Sequence, residues 1–160
     1  MTVAPVPDRP SLNLRRILNA PRERVWRAWT QPEMLIAWLG PPEWPAVHFE
    51  QDLRPGGAWR ACLRSTTEDR VLWQGGVYRE VVPPERLVFS FKWESDDHED
   101  GAPVDTLVTV LLTALPDGRT QLDFTQQGLK SEQSLTGHRR GWTGSFARLE
   151  EWLHAHGRTV

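Results

Sequence analysis

Leu87, Phe89, Phe91 and Trp93 alternate with Val88, Ser90, Lys92 and Glu94, the period of two that sends successive side chains to opposite faces of a strand. This is the clearest of six runs that read as strands between Trp44 and Gln127, spanning 47–53, 58–64, 71–82, 86–94, 106–114 and 119–127. Turn signals separate them at hairpin-like intervals: Arg54-Pro55-Gly56-Gly57, the polar 65–70 segment, Pro83-Pro84, the acidic 95–105 stretch and Pro116-Asp117-Gly118. Six strands joined this way predict an antiparallel meander. A seventh strand precedes them, with Leu12, Leu14, Arg16 and Leu18 set against Asn13, Arg15, Ile17 and Asn19; its imperfect alternation suggests cover on both faces.

The helical period appears in three places. After Asn19-Ala20-Pro21, the residues Val25, Trp26 and Trp29 share one face opposite Arg22, Arg24 and Arg27, and Pro21 suits a first turn because its missing N–H would have had no partner there. A second short helix opens at Pro32, carries Met34, Leu35, Trp38 and Leu39 at three-and-four spacing, and stops at Gly40-Pro41-Pro42. Near the end, Trp142, Phe146, Leu149 and Leu153 form the apolar stripe of a long helix starting near Ser134 and fraying around His156-Gly157, with Arg139, Arg148, Glu151 and His154 on its wet side. The predicted order is strand, two short helices, six strands, long helix. A sheet with one apolar face must cover it, and only the last helix is long enough, so the expected fold is α+β: a curved antiparallel sheet gripping a C-terminal helix. Residues 1–10 hold three of the thirteen prolines and read as a disordered leader to one domain over 11–157.

Three blocks carry a family resemblance: Trp38-Leu39-Gly40-Pro41, then Asp52-Leu53-Arg54-Pro55-Gly56-Gly57-Ala58-Trp59-Arg60, then residues 76–89 from Gly76-Val77-Tyr78 through Pro83-Pro84-Glu85-Arg86 to Phe89. Together with Asn19-Ala20-Pro21-Arg22-Glu23-Arg24-Val25-Trp26 and Gly141-Trp142 they resemble the homologues of the activator of heat-shock-protein-90 ATPase, within the START-like, helix-grip superfamily, over about residues 12–155. The resemblance implies a hydrophobic cavity between sheet and long helix. The co-chaperones that give the family its name carry an additional N-terminal domain that this sequence lacks, so a chaperone partner is not expected. A shared fold of this kind hosts carriers, cyclases and interaction modules alike, so function has to be argued from the site.

Composition sharpens this picture at a few points. Nine tryptophans accompany a single tyrosine, so either the core is rich in tryptophan or a cavity is lined with it. Trp26, Trp29, Trp38 and Trp152 sit where packing alone accounts for them. The residues expected at a cavity are Trp59, Trp73, Phe89, Phe91, Trp93, Trp142 and Phe146, and aromatic walls suit a hydrophobic or aromatic small molecule. Nineteen basic against twenty-one acidic residues give a formal charge of -2, which offers no general attraction to nucleic acid. No run approaches the roughly 18 apolar residues of a membrane span, and one cysteine, Cys62, permits no internal disulfide, so a cytoplasmic home is the expectation. An exposed strand edge or the surplus of tryptophan could supply a homodimer interface.

Chemistry is harder to place. His48, His98, His138, His154 and His156 lack metal-ligand spacing, so neither metal nor cofactor is expected. No nucleophile elbow, CxxC pair, phosphate loop or dinucleotide fingerprint occurs. The polar residues whose strand positions could aim them at an apolar space are His48, Glu50, Arg60, Lys92 and Gln126. The Asp52-to-Gly57 block reads as a turn in which Asp52 and Arg54 satisfy the loop or each other. The reading that follows is a binding or carrier module without covalent chemistry; a cyclase, dehydratase or hydrolase using the same space, or a chaperone-linked interaction module, is the alternative.

Overall fold

The structure, a computed structural model, describes residues 9–95 and 102–156. The leader up to Asp8, the middle of the acidic stretch and the last four residues lie outside the described residues. Strand β1 (Leu12–Leu18) leads into α1 (Arg22–Thr30) and α2 (Pro32–Trp38); β2 (Ala46–Gln51), β3 (Ala58–Arg64), β4 (Val71–Val82), β5 (Arg86–Trp93), β6 (Thr106–Ala114) and β7 (Thr120–Gln127) follow, and α3 (Glu132–His156) closes the chain. The order predicted from spacing is the order observed, with boundaries moved by one or two residues at several ends.

All seven strands form one antiparallel sheet in the order β1-β7-β6-β5-β4-β3-β2. The meander therefore runs from β2 to β7, and β1 returns to pair with β7, Leu12 opposite Gln126 and Leu18 opposite Thr120. Cover on both faces of β1 does not hold: Leu12 and Leu18 are buried, while Asn13, Arg15 and Ile17 face water. An edge strand is packed on one side only, and its irregular alternation reflects chemistry at the rim.

Strand β4 carries Gly75-Gly76 where it runs closest to β5, and its register against β5 shifts just beyond, between Tyr78 and Glu80. A Cβ on Gly76 would stand 1.9 Å from the Ser90 carbonyl oxygen, so only glycine lets β5 come this close. Backbone pairing between β4 and β5 lapses between Gly75 and Tyr78. There Ser90 Oγ accepts the Val77 N–H at 2.9 Å, so the gap in the pairing leaves that donor satisfied.

Two short helices close one end. Pro32 opens α2 at its first turn, where the lost N–H costs nothing, and Trp38 Nε1 donates to the Ala28 carbonyl at 2.9 Å, locking α2 to α1. The chain leaves α2 through Gly40 at φ +89°, where a side chain would strike the Trp44 carbonyl oxygen at 2.1 Å. Three carbonyls at this exit, Ala37, Leu39 and Gly40, accept hydrogen bonds at 2.8–2.9 Å from the guanidinium of Arg148 on α3. Arg148 thus leaves the wet face to which its spacing assigned it; it is half-buried, and burial lowers its pKa from the usual guanidinium value. A cation belongs at the carbonyl end of a helix, and a planar fork can reach three oxygens at once.

The core lies between the concave face of the sheet and α3. Trp29, Trp38, Phe124, Trp142 and Phe146 meet ring to ring, with centroids 4.6–6.5 Å apart. Phe49, Trp59, Tyr78, Phe89 and Phe91 continue the aromatic layer under β2 to β5. Most of the tryptophan surplus is therefore packing. Because Phe146 and Leu149 are fully buried, replacing either by alanine removes both transferred area and close packing, and should cost about 2 to 5 kcal/mol in urea denaturation; a loss near that of an ordinary surface change, about 0.5 kcal/mol, would contradict this placement of α3.

Candidate functional site

The space between the sheet and α3 is unevenly distributed along the helix. Beneath the C-terminal half of the helix, Phe146 fills the space against Trp29, Trp38 and Phe124. Between Trp29, Leu35, Phe49, Trp59, Tyr78 and Phe89 only a void of about 20 Å³ remains, roughly the room of one water molecule. Open space appears instead at the other end. A cleft of about 990 Å³ lies between the N-terminal half of α3, the inner ends of β3, β4 and β5, and the exit from α2.

Its volume follows from what α3 leaves out. Gly137 and Gly141 stand one turn apart on the helix and both line the cleft, and a Cβ on either would meet nothing within 4 Å. Glycine inside a helix disfavours it by up to about 1 kcal/mol relative to alanine, so the sequence accepts a weaker helix where the space is. Ser134 and Ser145 continue the small-residue wall, and Ser145 Oγ accepts the Gly40 N–H at 3.0 Å while donating to the Gly141 carbonyl at 2.9 Å. That pair of bonds fixes the cleft's lower rim to the α2 exit.

The aromatic walls are held by hydrogen bonds as well as by packing. Trp93 Nε1 donates to His138 Nε2 at 3.1 Å, and His138 Nδ1 meets the Ser134 carbonyl at 2.8 Å. An indole N–H can only donate, so Nε2 must accept and the proton sits on Nδ1, where the carbonyl takes it. On the opposite wall Trp142 Nε1 donates to Gln126 Oε1, Gln126 Nε2 to Thr106 Oγ1, and Thr106 Oγ1 to the Phe91 carbonyl, each at 2.9 Å. Phe91 touches Trp93, His138 and Trp142 edge-on, with centroids 5.4–6.2 Å apart. Each ring thus enters the cleft in one orientation.

The seven residues expected at a cavity divide into four groups. Phe91, Trp93 and Trp142 line the cleft. Trp59 and Phe89 line the small void, and Trp142 reaches that too. Phe146 lines neither and is packing. Trp73 stands on the other face of the sheet: Leu72, Gln74 and Tyr78 take the buried positions of β4, so Trp73 points outward, with the Arg60 guanidinium 3.8 Å above its ring and His48 at its edge. The candidate polar residues divide as sharply. His48, Glu50, Arg60 and Lys92 are exposed. Gln126 is fully buried, but its amide is already committed to Trp142 and Thr106.

Two residues that spacing did not single out as polar members of the site complete the cleft. His138 appeared only as a failed metal ligand, although its place four residues before Trp142 sets both on one face of α3. Gln74, flanked by Trp73 and two glycines, carries no signal in its sequence context; it is 3% exposed and lines both the cleft and the void. Among the described residues no three histidine, cysteine, aspartate or glutamate side chains converge on one point. Burial pushes the Cys62 thiol and the Tyr78 phenol up from their usual values, so both stay protonated at neutral pH. As expected for the first hairpin turn, Arg54 Nε donates to Asp52 Oδ2 at 2.7 Å.

A curved sheet closed by two short helices and gripping a long terminal one, with a cleft along that helix, defines a START-like helix-grip domain. The chain belongs to the family described as Activator of Hsp90 ATPase homolog 1-like protein, whose model matches residues 19–154. Solved structures agree. A protein of Chromobacterium violaceum is 28% identical at a TM-score of 0.75, over 89% of this chain and 96% of its own. One from Rhizobium leguminosarum is 27% identical at 0.75, over 92% and 96%. The AHSA1 protein of Silicibacter pomeroyi, 22% identical, shares the fold at a TM-score of 0.77 over 92% and 99%. The comparison with curated proteins finds no match. No described helix is long and apolar enough to cross a membrane.

Two outcomes follow from the site's hydrogen bonds and charges. Gln126→Leu strands the Trp142 indole N–H in a dry wall and should destabilise the protein by about 1 to 3 kcal/mol, read by urea denaturation. On the outer face, Arg60 donates to both oxygens of Glu94 at 2.6 and 2.8 Å, and this hydrogen bonding holds the Glu94 carboxyl below the usual carboxylate range. A lowered folded-state value means the pair stabilises the fold above the unfolded carboxylate value, about 4.3, and loses that contribution as pH falls through the lowered one. An NMR titration should therefore show Glu94 moving back up in Arg60→Gln.

Proposed function

We propose that the protein reversibly binds a small molecule with an apolar, aromatic body in the cleft beside α3, as a binding or carrier module. The observation that carries this reading is the pairing of open volume with fixed aromatic walls: about 990 Å³ bounded by Phe91, Trp93 and Trp142, whose two indoles are each held by a hydrogen bond. Rings held in place before a ligand arrives lose little freedom on binding, so their contact area is converted to affinity more fully. Ligand sites combine aromatic walls with placed polar groups, and here the rings of Phe91, Trp93 and Trp142 share the lining with polar side chains that include Gln74, Lys130, Gln133, His138 and Arg140. Binding without covalent chemistry is favoured over catalysis because four of the five polar residues weighed as catalytic stand on the outer face and the amide of the fifth is already engaged.

The test is a fluorescence titration with 2-naphthol, a two-ring aromatic, on the native protein and on Gly141→Leu. The variant places a side chain into space that now holds nothing within 4 Å of the Cβ, and leucine is a better helix former than glycine. Its melting temperature should not fall, while affinity drops about tenfold or more. Affinity unchanged by Gly141→Leu, or no binding to the native protein at millimolar probe, would overturn the proposal. Native mass spectrometry of protein purified from its own host would then identify the natural occupant.

A further inference from the structure

The side-chain amide of Gln74 is unusual among the buried polar groups. Thr30, Ser65, Ser90, Thr106, Thr120, Gln126, Ser134, His138 and Ser145 all make hydrogen bonds within the protein. Gln74 makes none. The sheet places it there for a definite reason: it pairs with Ala61 on β3 and Trp93 on β5, on the same inward register as Leu72 and Tyr78. Ala61 is too small to cover it, and Trp93 turns its N–H toward His138. The amide is therefore left at the floor of the cleft, where cleft and void meet. Among the described residues the side-chain nitrogens sealed from solvent without a partner are Trp29 Nε1 and Arg22 Nε; the Gln74 amide is not one of them and stays open to the cleft.

An amide open to the cleft can be solvated there, so a ligand that enters and excludes water must replace those bonds or leave the amide unpaired at a cost. A ligand that supplies those bonds itself avoids the cost. A primary amide presents one carbonyl acceptor and an N–H donor side by side in one plane. Its complement is a group with donor and acceptor adjacent in the same plane, and the neighbouring rings of Phe91, Trp93 and Trp142 ask for a flat body around that group.

We propose that Gln74 is the specificity-determining residue of the cleft and that it selects planar, uncharged ligands bearing a cis-amide edge, such as a lactam or pyridone fused to an aromatic ring. The proposal rests on the binding reading above and deepens it. An amide pair against aromatic walls that exclude water discriminates strongly, because a ligand lacking the edge leaves both halves of the Gln74 amide unpaired.

Two probes separate these statements: quinolin-2(1H)-one and its N-methyl derivative, which keeps the flat body and carbonyl but loses the donor. Calorimetric titration should give the native protein about a tenfold preference for the unmethylated lactam, the worth of one net hydrogen bond. In Gln74→Leu the two affinities should converge to within about twofold, through loss of lactam binding. The free Gln74→Leu protein should melt at or above the native temperature, because no internal hydrogen bond is removed. A preference that is absent, or that survives in Gln74→Leu, overturns the role of Gln74, as does a marked fall in that variant's melting temperature. Should Gly141→Leu abolish binding of both probes in that case, the cleft is still the site. Failure of both probes to bind the native protein, or binding untouched by Gly141→Leu, would overturn the selectivity and the binding reading together.

Discussion

The Ala37 carbonyl, in the last turn of α2, finds no partner within its helix; it and the Leu39 and Gly40 carbonyls just past the helix end all accept from Arg148 of α3. The last carbonyls of any helix face this problem. Here its solution joins the beginning of the fold to its end, more than 100 residues apart in sequence. With Arg148 anchored, the rotation of α3 about its axis is set: Phe146 and Leu149 turn into the sheet, and Ser145 meets the Gly40 N–H. One turn further toward the N-terminus, Gly141 and Gly137 come to face open space. Packing at one end of the helix and vacancy at the other are consequences of one orientation.

Most of the architecture was legible because it rests on periodicity. Alternation in β5 and the three-and-four spacing of Trp142, Phe146, Leu149 and Leu153 each reflect a long-range fact, burial on one side, in a short-range pattern. Arg148 escaped that logic because its position on the helical wheel says only that it lies beside the apolar stripe. Nothing local indicates that a carbonyl cluster from α2 waits there. Trp73 was misplaced for a related reason: β4 contains two glycines and a glutamine, so its alternation is too thin to fix which face is inside. The buried position belongs to Gln74, and the tryptophan is half-buried on the outer face, the reverse of what hydrophobicity alone suggests. Arg60 makes the exchange tolerable by covering the indole face.

The site is less legible than the fold because its members matter through their partners. His138 becomes intelligible once Trp93 is seen to donate to it, and Gln126 once it is seen to hold Trp142. Polar groups here serve chiefly to orient aromatic ones. Such arrangements combine the reach of a large ring with the directionality of a hydrogen bond. They also explain how a chain so rich in tryptophan can be both densely packed and open: some indoles are embedded in the core, while Trp93 and Trp142 stand beside the cleft at fixed angles.

Gly137 and Gly141 put the volume of the cleft under the control of two codons. Neither glycine lies in the left-handed backbone region, and neither is pressed by a neighbour. The path of α3 is set elsewhere, by Arg148, Phe146 and Leu149. Substitution at these two positions can therefore narrow or reshape the cleft while the scaffold stays in place. Sequences that share only a quarter of their residues can thus keep one architecture while differing in the shape of the space beside the last helix.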